Sequence, residues 1–377
     1  MMIKLDDAFK LVMDLAYPVG VERVSIDRAL NRVLAEDVVS DVDMPPFNKS
    51  AMDGFAVRRA DLANEFTIIE TIPAGYVPKK TIEQNQCARI TTGAIVPQGA
   101  DCVIMVEHTR NTSENKIRFI ADYTDDNICW KGEDVKKGDV VLRVGQIIRP
   151  QHIAMLASCG CIKPLVTLRP KVGIIATGNE LVEPDKKPSP GQIRNSNGMQ
   201  LFAQVTDMGV PAKYYGIAGD TEEAINAMVK KALVENKVVI ISGGMSVGDY
   251  DFVRKVLKKN NVELLFEKIA VKPGRPTAFG IKKLTSDDVV SYLADMRYQS
   301  YNIQNTMDKN QNTRFVFGLP GNPVSSFVMF ELLVKPFLFK LMGHNFTPVV
   351  SLATLEKTIT RKKLEREWWL PVVFSEN

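Results

Sequence analysis

The chain has 377 residues, 45% of them hydrophobic and 24% charged, and a formal net charge of +4. That length exceeds one ordinary core and predicts two to four domains, in the composition range of globular proteins. The mild charge gives no ground for a nucleic-acid partner. No apolar run is long enough to cross a bilayer, and Asp6 and Asp7 stand where a signal peptide would be apolar, so a cytoplasmic protein is expected.

In chain order, residues 1–45 open on Ala8, Leu11, Val12, Leu15 and Ala16 at helical spacing, and Asp27 to Val33 predicts a second short helix. Pro45 and Pro46 then break regular structure. Between 47 and 146, β-prone runs alternate with Gly and Pro (TIIETIPAG, CARITTGAIVPQGADCVIMVE, NKIRFIADY, GDVVLRVG), the pattern of a small, mostly β module. A helix over 150–160 should present Ile153, Ala154, Leu156 and Ala157 on one face. The odd set of cysteines (Cys87, Cys102, Cys129, Cys159, Cys161) argues against a disulfide framework. The Cys159-x-Cys161 pair has no second Cys/His pair beside it, so reduced structural thiols are expected.

From Lys171 the period changes. Strands at 172–176, 212–217, 238–242 and 315–318 alternate with helices near 198–208, 224–233, 250–259 and after LPGNP. Apolar strands separated by helices indicate a parallel sheet covered on both faces. Asp220 or Thr221 can cap the second of these helices. Residues 284–313 read as a surface insertion, and a small β module is expected at the C-terminus from about 343.

Several loops of this α/β region carry chemistry. Ser242-Gly243-Gly244-Met245-Ser246-Val247-Gly248-Asp249-Tyr250-Asp251 joins a buried strand to a helix. Glycines there let backbone N–H groups approach an anion, and the helix start adds a positive dipole, although a plain strand-to-helix turn also uses Gly-Gly. The loop is neither a Walker A loop nor a G-x-G-x-x-G fingerprint, so ATP and NAD are not expected. Leu319-Pro320-Gly321-Asn322-Pro323-Val324-Ser325-Ser326 also follows a strand. Capping explains Asn322 and Pro323 but does not require Gly321 or the serines. Lys272-Pro273-Gly274-Arg275-Pro276 is a stiff cationic loop that becomes a candidate clamp for phosphate or a like oxyanion beside the two glycine loops. Glu180 follows a strand end, and Arg194, Asn195 and Asn197 offer hydrogen-bond donors of the kind a polar heterocycle edge, such as a pterin's under the resemblance given below, would take. By residue chemistry alone, Asp53-Gly54, Thr92-Gly93 and Gly132-Glu133-Asp134 read equally well as ordinary turns.

PPFNKSAMDGFAV, RITTGAIVPQGADCVIMVE and GEDVKKGD, followed in order by SGGMSVGDYD, KPGRPTAFG and LPGNPVSS, resemble the signature segments of molybdopterin molybdenumtransferases, a family related to the E domain of gephyrin. The likeness covers roughly residues 1–342. It implies a multi-domain α/β protein: a linker domain of 1–45 plus 140–168, a mostly β lid domain of 46–139, a molybdopterin-binding α/β domain of 169–342 and a C-terminal β domain of 343–377 shorter than the family's own. It implies a homodimer in which adenylylated molybdopterin and molybdate meet between one subunit's α/β domain and the other's lid. Molybdenum then enters the dithiolene and AMP is released with help from Mg²⁺ or Zn²⁺.

By motif position, the resemblance makes Asp53, Thr92, Asp134, Glu180 and Asp251 catalytic, and places Asp53, Thr92, Asp134, Glu180 and Asp220 at the metal. Substrate would be held by Asp220, Ser242, Gly243, Gly244, Ser246, Gly248, Lys272, Arg275, Pro320, Gly321, Asn322, Pro323 and Ser325. A molybdopterin adenylyltransferase and acceptor molybdoenzymes would be partners. The chain departs from the pattern before Gly132, where Cys129-Trp130-Lys131 leaves only Lys131 as a cation. A scaffold on the same fold without turnover is the alternative, and a third reading, the adenylylating enzyme, is opposed by residues 1–168, since that enzyme lacks a lid.

Overall fold

The computed structural model describes residues 2–244, 252–286, 288, 312–348, 350–354, 356, 366–370 and 372. The chain divides into two compact units. One comprises Met1–Glu36, Val144–Pro150 and Lys163–Asn377, and the other Asp37–Arg143 and Gln151–Ile162.

The larger unit begins with helix α1 (Leu5–Asp14), which buries Leu5, Ala8 and Val12 along one stripe, with Asp6 and Asp7 in its first turn. The second helix expected over 27–33 is a single 3₁₀ turn, Ile26–Arg28. Asn31 takes a left-handed φ of 60°, which ends any right-handed helix there. Val33 and Leu34 enter β-bridges to Ile147 and Val166 instead.

In the smaller unit a six-stranded sheet is built from β1 (Gly54–Val57), β2 (Glu65–Ile72), β3 (Gln86–Ile90), β4 (Cys102–Met105), β5 (Thr109–Ser113) and β6 (Lys116–Phe119). Its order is β4-β1-β3-β2-β6-β5, antiparallel except for the β2–β3 pair. Alternation sends Ala56, Ile72, Ala88, Ile90 and Val103 to one core and Phe55, Val57, Phe66, Cys87, Ile104 and Ile117 to the other. Helix α2 (Pro150–Ser158) follows, and the face expected of it is only partly buried: Leu156 is covered, Ile153 is half-buried, and Ala154 and Ala157 are exposed.

The rest of the larger unit alternates strand and helix: β7 (Val172–Thr177), α3 (Ser196–Asp207), β8 (Ala212–Ala218), α4 (Glu222–Glu235), β9 (Val238–Ser242), α5 (Phe252–Lys259), β10 (Glu263–Phe266), β11 (Ala278–Lys283), β12 (Thr313–Leu319), α6 (Pro323–Met329), a π-helical turn (Phe330–Val334) and α7 (Lys335–Leu341). The sheet order is β8-β7-β9-β12-β11-β10. The expected parallel sheet is present in β8, β7, β9 and β12, but β11 runs antiparallel to both its neighbours, β12 and β10, so the sheet is mixed.

Every residue of β7 and β9 is buried, as strands covered on both faces require. One face packs on α1, α3, α6 and α7 through Leu201, Val205, Met329 and a cluster of phenylalanines in which Phe279–Phe317 and Phe315–Phe337 ring centroids lie 4.8 Å apart. Ile225, Val229, Val253 and Leu257 of α4 and α5 cover the other. The chain leaves β7 toward β8 on one side and returns to β9 on the other. The crevice at the carboxyl ends of these strands is therefore a topological switch point, where open α/β sheets bind ligands.

Most of the expected 284–313 insertion lies outside the described residues; at its start, the buried Lys282 ammonium pairs with Asp288 at 2.6 Å. In the expected C-terminal β module, the described strand is Glu367–Trp368, which pairs in parallel with Val271–Lys272. Among the described residues no helix is long and apolar enough to cross a membrane.

Candidate functional site

The glycine loops after β9 and β12 meet. The Gly243 N–H donates to the Leu319 carbonyl at 3.1 Å. A Cβ on Gly321 would lie 3.8 Å from the Gly243 Cα, so the two backbones are in contact. Gly243 and Gly244 take φ of 93° and 64°, and a Cβ on Gly243 would stand 2.4 Å from the Thr177 carbonyl oxygen at the end of β7. Both positions need glycine, for conformation and for space.

Three strand ends thus close on one point, and Asn197 of α3 ties two of them together, those of β9 and β12. Its Nδ2 donates to Ser242 Oγ at 2.9 Å and to the Gly321 carbonyl at 2.8 Å. Its neighbour Asn195 caps α3, accepting from the Gly198 N–H at 2.9 Å while donating to Tyr214 Oη at 2.6 Å. Arg194 Nε is turned to the Lys186 carbonyl at 3.1 Å. The donors that the sequence offers to a pterin edge at 194, 195 and 197 are therefore largely committed within the protein. Asn197, expected from the sequence only as a donor to a pterin edge, and Thr177 together brace the loops; neither is among the residues that the family resemblance assigns to the site.

Past β12, Asn322 caps α6, accepting from the Ser325 N–H at 3.2 Å, with Pro323 in the first turn. Pro320 and Ser325 are buried, whereas Gly321, Asn322 and Pro323 are exposed and form the open rim. Lys272 and Arg275 are exposed on their own loop, the Lys272 ammonium lying 4.2 Å from the centroid of the Trp368 ring. Thr221, and not Asp220, caps α4. Asp220 is bound to Asn179, which donates its N–H to the Asp220 carboxylate while its side-chain oxygen accepts the Asp220 N–H, both at 2.9 Å. Glu180 is exposed beside Gly178, its carboxylate 2.6–2.8 Å from where a Gly178 Cβ would stand. Ser246, Gly248 and Asp251 lie outside the described residues.

In the smaller unit, Asp53 and Thr92 come together. Asp53 Oδ1 accepts the Thr92 N–H at 2.6 Å and the Thr92 hydroxyl at 2.9 Å. Those two bonds hold its carboxyl below the ordinary range, so it stays ionised. Gly54 is the first residue of β1 and no mere turn: a Cβ there would meet the Ile104 carbonyl oxygen at 1.9 Å. Asp134 is exposed and donates its N–H to the Met44 carbonyl at 3.0 Å. Lys131, the cation left where the family pattern has arginine, pairs with Asp43 at 3.4 Å. Among the described residues no three His, Cys, Asp or Glu side chains converge as a metal cluster.

Residues 3–160 match the MoeA N-terminal region (domains I and II), and residues 173–340 a probable molybdopterin-binding domain. Over 362 residues the chain is 38% identical to a molybdopterin molybdenumtransferase of Staphylococcus epidermidis, covering 94% of this chain and 79% of that protein. The chain belongs to the molybdopterin molybdenumtransferase family. A second member, from Bacillus subtilis, is 36% identical over 347 residues, covering 89% of this chain and 74% of that one. The crystal structure of a molybdopterin biosynthesis MoeA protein from Pyrococcus horikoshii superposes with a TM-score of 0.71 at 35% identity, covering 91% of this chain and 80% of the other. With this membership the chain is an enzyme of the transferase class. The boundary between the two matched regions falls near the point where the strand–helix alternation begins.

Proposed function

We propose that this enzyme acts in molybdenum cofactor synthesis, inserting molybdenum from molybdate into the dithiolene of adenylylated molybdopterin with release of AMP. The observation that carries the reading is the contact of two glycine loops at the ends of β9 and β12, braced by a buried asparagine and flanked by a cationic loop. A flat heterocycle with a phosphate tail suits such a crevice. Backbone N–H groups at strand ends and helix starts take the phosphate, and Lys272 and Arg275 supply positive charge at an exposed rim. It is neither a Walker A loop nor a dinucleotide fingerprint, which favours a different phosphate-bearing ligand.

In the reaction, water cleaves the phosphoanhydride and AMP departs; the two thiolates of the dithiolene then bind molybdenum as one molybdate oxygen takes two protons and leaves as water. Asp53, kept ionised by Thr92, is assigned to the hydrolytic step, with Asp134 beside it in role. Glu180, Asp220 and Asp251 complete the acidic set, and Ser242, Ser246, Gly248 and Ser325 are assigned to substrate binding. An Mg²⁺ or Zn²⁺ ion would offset phosphate charge, and carboxylates with a threonine hydroxyl are donors a hard cation accepts. Because three such groups do not converge among the described residues, no step is assigned to the ion. A homodimer, the four-part domain division, and exchange with an adenylyltransferase and acceptor molybdoenzymes belong to the same proposal.

The test is to incubate the protein with adenylylated molybdopterin and Mg²⁺, with and without molybdate, and to measure AMP. Release above background that responds to molybdate supports the proposal; none in either arm contradicts it.

A further inference from the structure

Asn197 is 7% exposed, and its Oδ1 has no hydrogen-bond partner among the described residues. The amide orientation is not arbitrary. Gly321 presents a carbonyl oxygen, which only accepts, so the nitrogen must face it, and the same nitrogen reaches Ser242 Oγ. Oδ1 is left without a donor. The contrast with Asn195 is direct, for there the cap bond fills the oxygen and Tyr214 fills the nitrogen. A buried acceptor without a donor is costly and calls for a partner supplied from outside the chain.

We propose, resting on the molybdopterin-pocket reading above, that Asn197 is a specificity-determining residue whose Oδ1 accepts a hydrogen bond from an N–H on the pyrimidine edge of the pterin. The orientation of the ligand follows from what surrounds the crevice. Lys272, Arg275 and the Gly321-Asn322-Pro323 rim are exposed, so the phosphate and the dithiolene, which must meet molybdate, belong outward. The opposite end of the ring system, with the 2-amino group and N3–H, goes inward to the buried amide. Asn197 thus reads the ligand as an acceptor, the reverse of the donor role its sequence position suggests. Its two internal bonds fix the oxygen before the ligand arrives.

The test uses the full chain and three small competitors for bound molybdopterin: pterin, lumazine, in which the 2-amino group is replaced by a carbonyl oxygen, and 3-methylpterin, which lacks N3–H. Wild-type protein should bind at least one of the two analogues about tenfold more weakly than pterin, the scale of one lost hydrogen bond. Asn197→Ala should lose about tenfold toward pterin and nearly nothing toward the disfavoured analogue, so that the discrimination disappears. Equal affinities for all three in the wild type would overturn the assignment without any variant, which keeps the test valid if Asn197→Ala does not fold. A uniform loss toward all three in the variant would also overturn it, since Asn197 would then only tie the loops together. Wild-type protein that binds no molybdopterin at all overturns the pocket reading itself, and this assignment with it.

Discussion

Replacing Gly243 with alanine tests whether the crevice is built as described. Gly243 has φ of 93°, and its added Cβ would stand 2.4 Å from the Thr177 carbonyl oxygen and 3.0 Å from the Thr177 hydroxyl oxygen. A side chain in the left-handed region costs roughly 1–2 kcal/mol, and prising apart packed backbone adds roughly 1–3 kcal/mol. The carbonyl belongs to a central buried strand and cannot swing aside as a side-chain tip can, so the penalty sits toward the upper end. Gly244→Ala should cost somewhat less, because its Cβ would meet a methyl of Val253 at 2.5 Å and not backbone. Gly321→Ala is the control: its nearest neighbour would be the Gly243 Cα at 3.8 Å, ordinary contact, and its φ is not left-handed, so a change within about 0.5 kcal/mol is expected. Urea denaturation of the three variants gives the order, and a molybdopterin titration of folded Gly243→Ala should show at least about tenfold weaker binding. If Gly243→Ala unfolds at the same urea concentration as Gly321→Ala, the loop does not press on β7 and the reasoning fails.

Asp53→Asn keeps the size of the side chain and an oxygen for the Thr92 N–H, so its melting temperature should match wild type while AMP release falls about 10²-fold; unchanged release would remove Asp53 from the chemistry. Arg275→Ala should weaken molybdopterin binding more than Lys283→Ala, since Arg275 lies on the cationic loop and Lys283 at the far end of β11, and equal effects would deny that loop a special role. Burial pushes the Cys87 thiol up to about 12 and the Cys102 thiol to about 11, so at pH 8 almost none of either is thiolate. Iodoacetamide at that pH should leave both unlabelled in the native protein and label both in urea; mass mapping that finds them alkylated as quickly as the less buried Cys129 and Cys161 would contradict their burial.

The central strands were legible because VGIIA and VVII contain no polar side chain, a signal that survives without knowing any partner. Helix starts were nearly so: Asn322-Pro323 reads as a cap in the chain and acts as one in the fold. Thr221 against Asp220 was left open by sequence, since either side chain caps equally well, and the choice depends on Asn179 from another strand end claiming Asp220. Strand β11 was hidden within a run dominated by Pro and Gly, and its antiparallel pairing with β12 is a non-local register. The helix expected over 27–33 failed because Asn31 turns left-handed and bridges to Ile147 and Val166 outweigh local propensity. Asn197 stood out in the chain only as one donor among three, because its role in bracing the loops arises where α3, β9 and the loop after β12 meet. The acidic set was recognisable by family motif alone, because exposed Asp and Glu in turns look the same with or without a catalytic role.

The most direct test of the central claim follows the molybdenum itself. Adenylylated molybdopterin, molybdate and the protein are mixed, and the product is offered to a molybdenum-free, pterin-free apo-molybdoenzyme whose activity is then assayed. The account predicts activation that requires both molybdate and the chain, and that is lost with Asp53→Asn. Tight molybdopterin binding with no molybdate-dependent activation would contradict it and make the protein a binding scaffold on this fold.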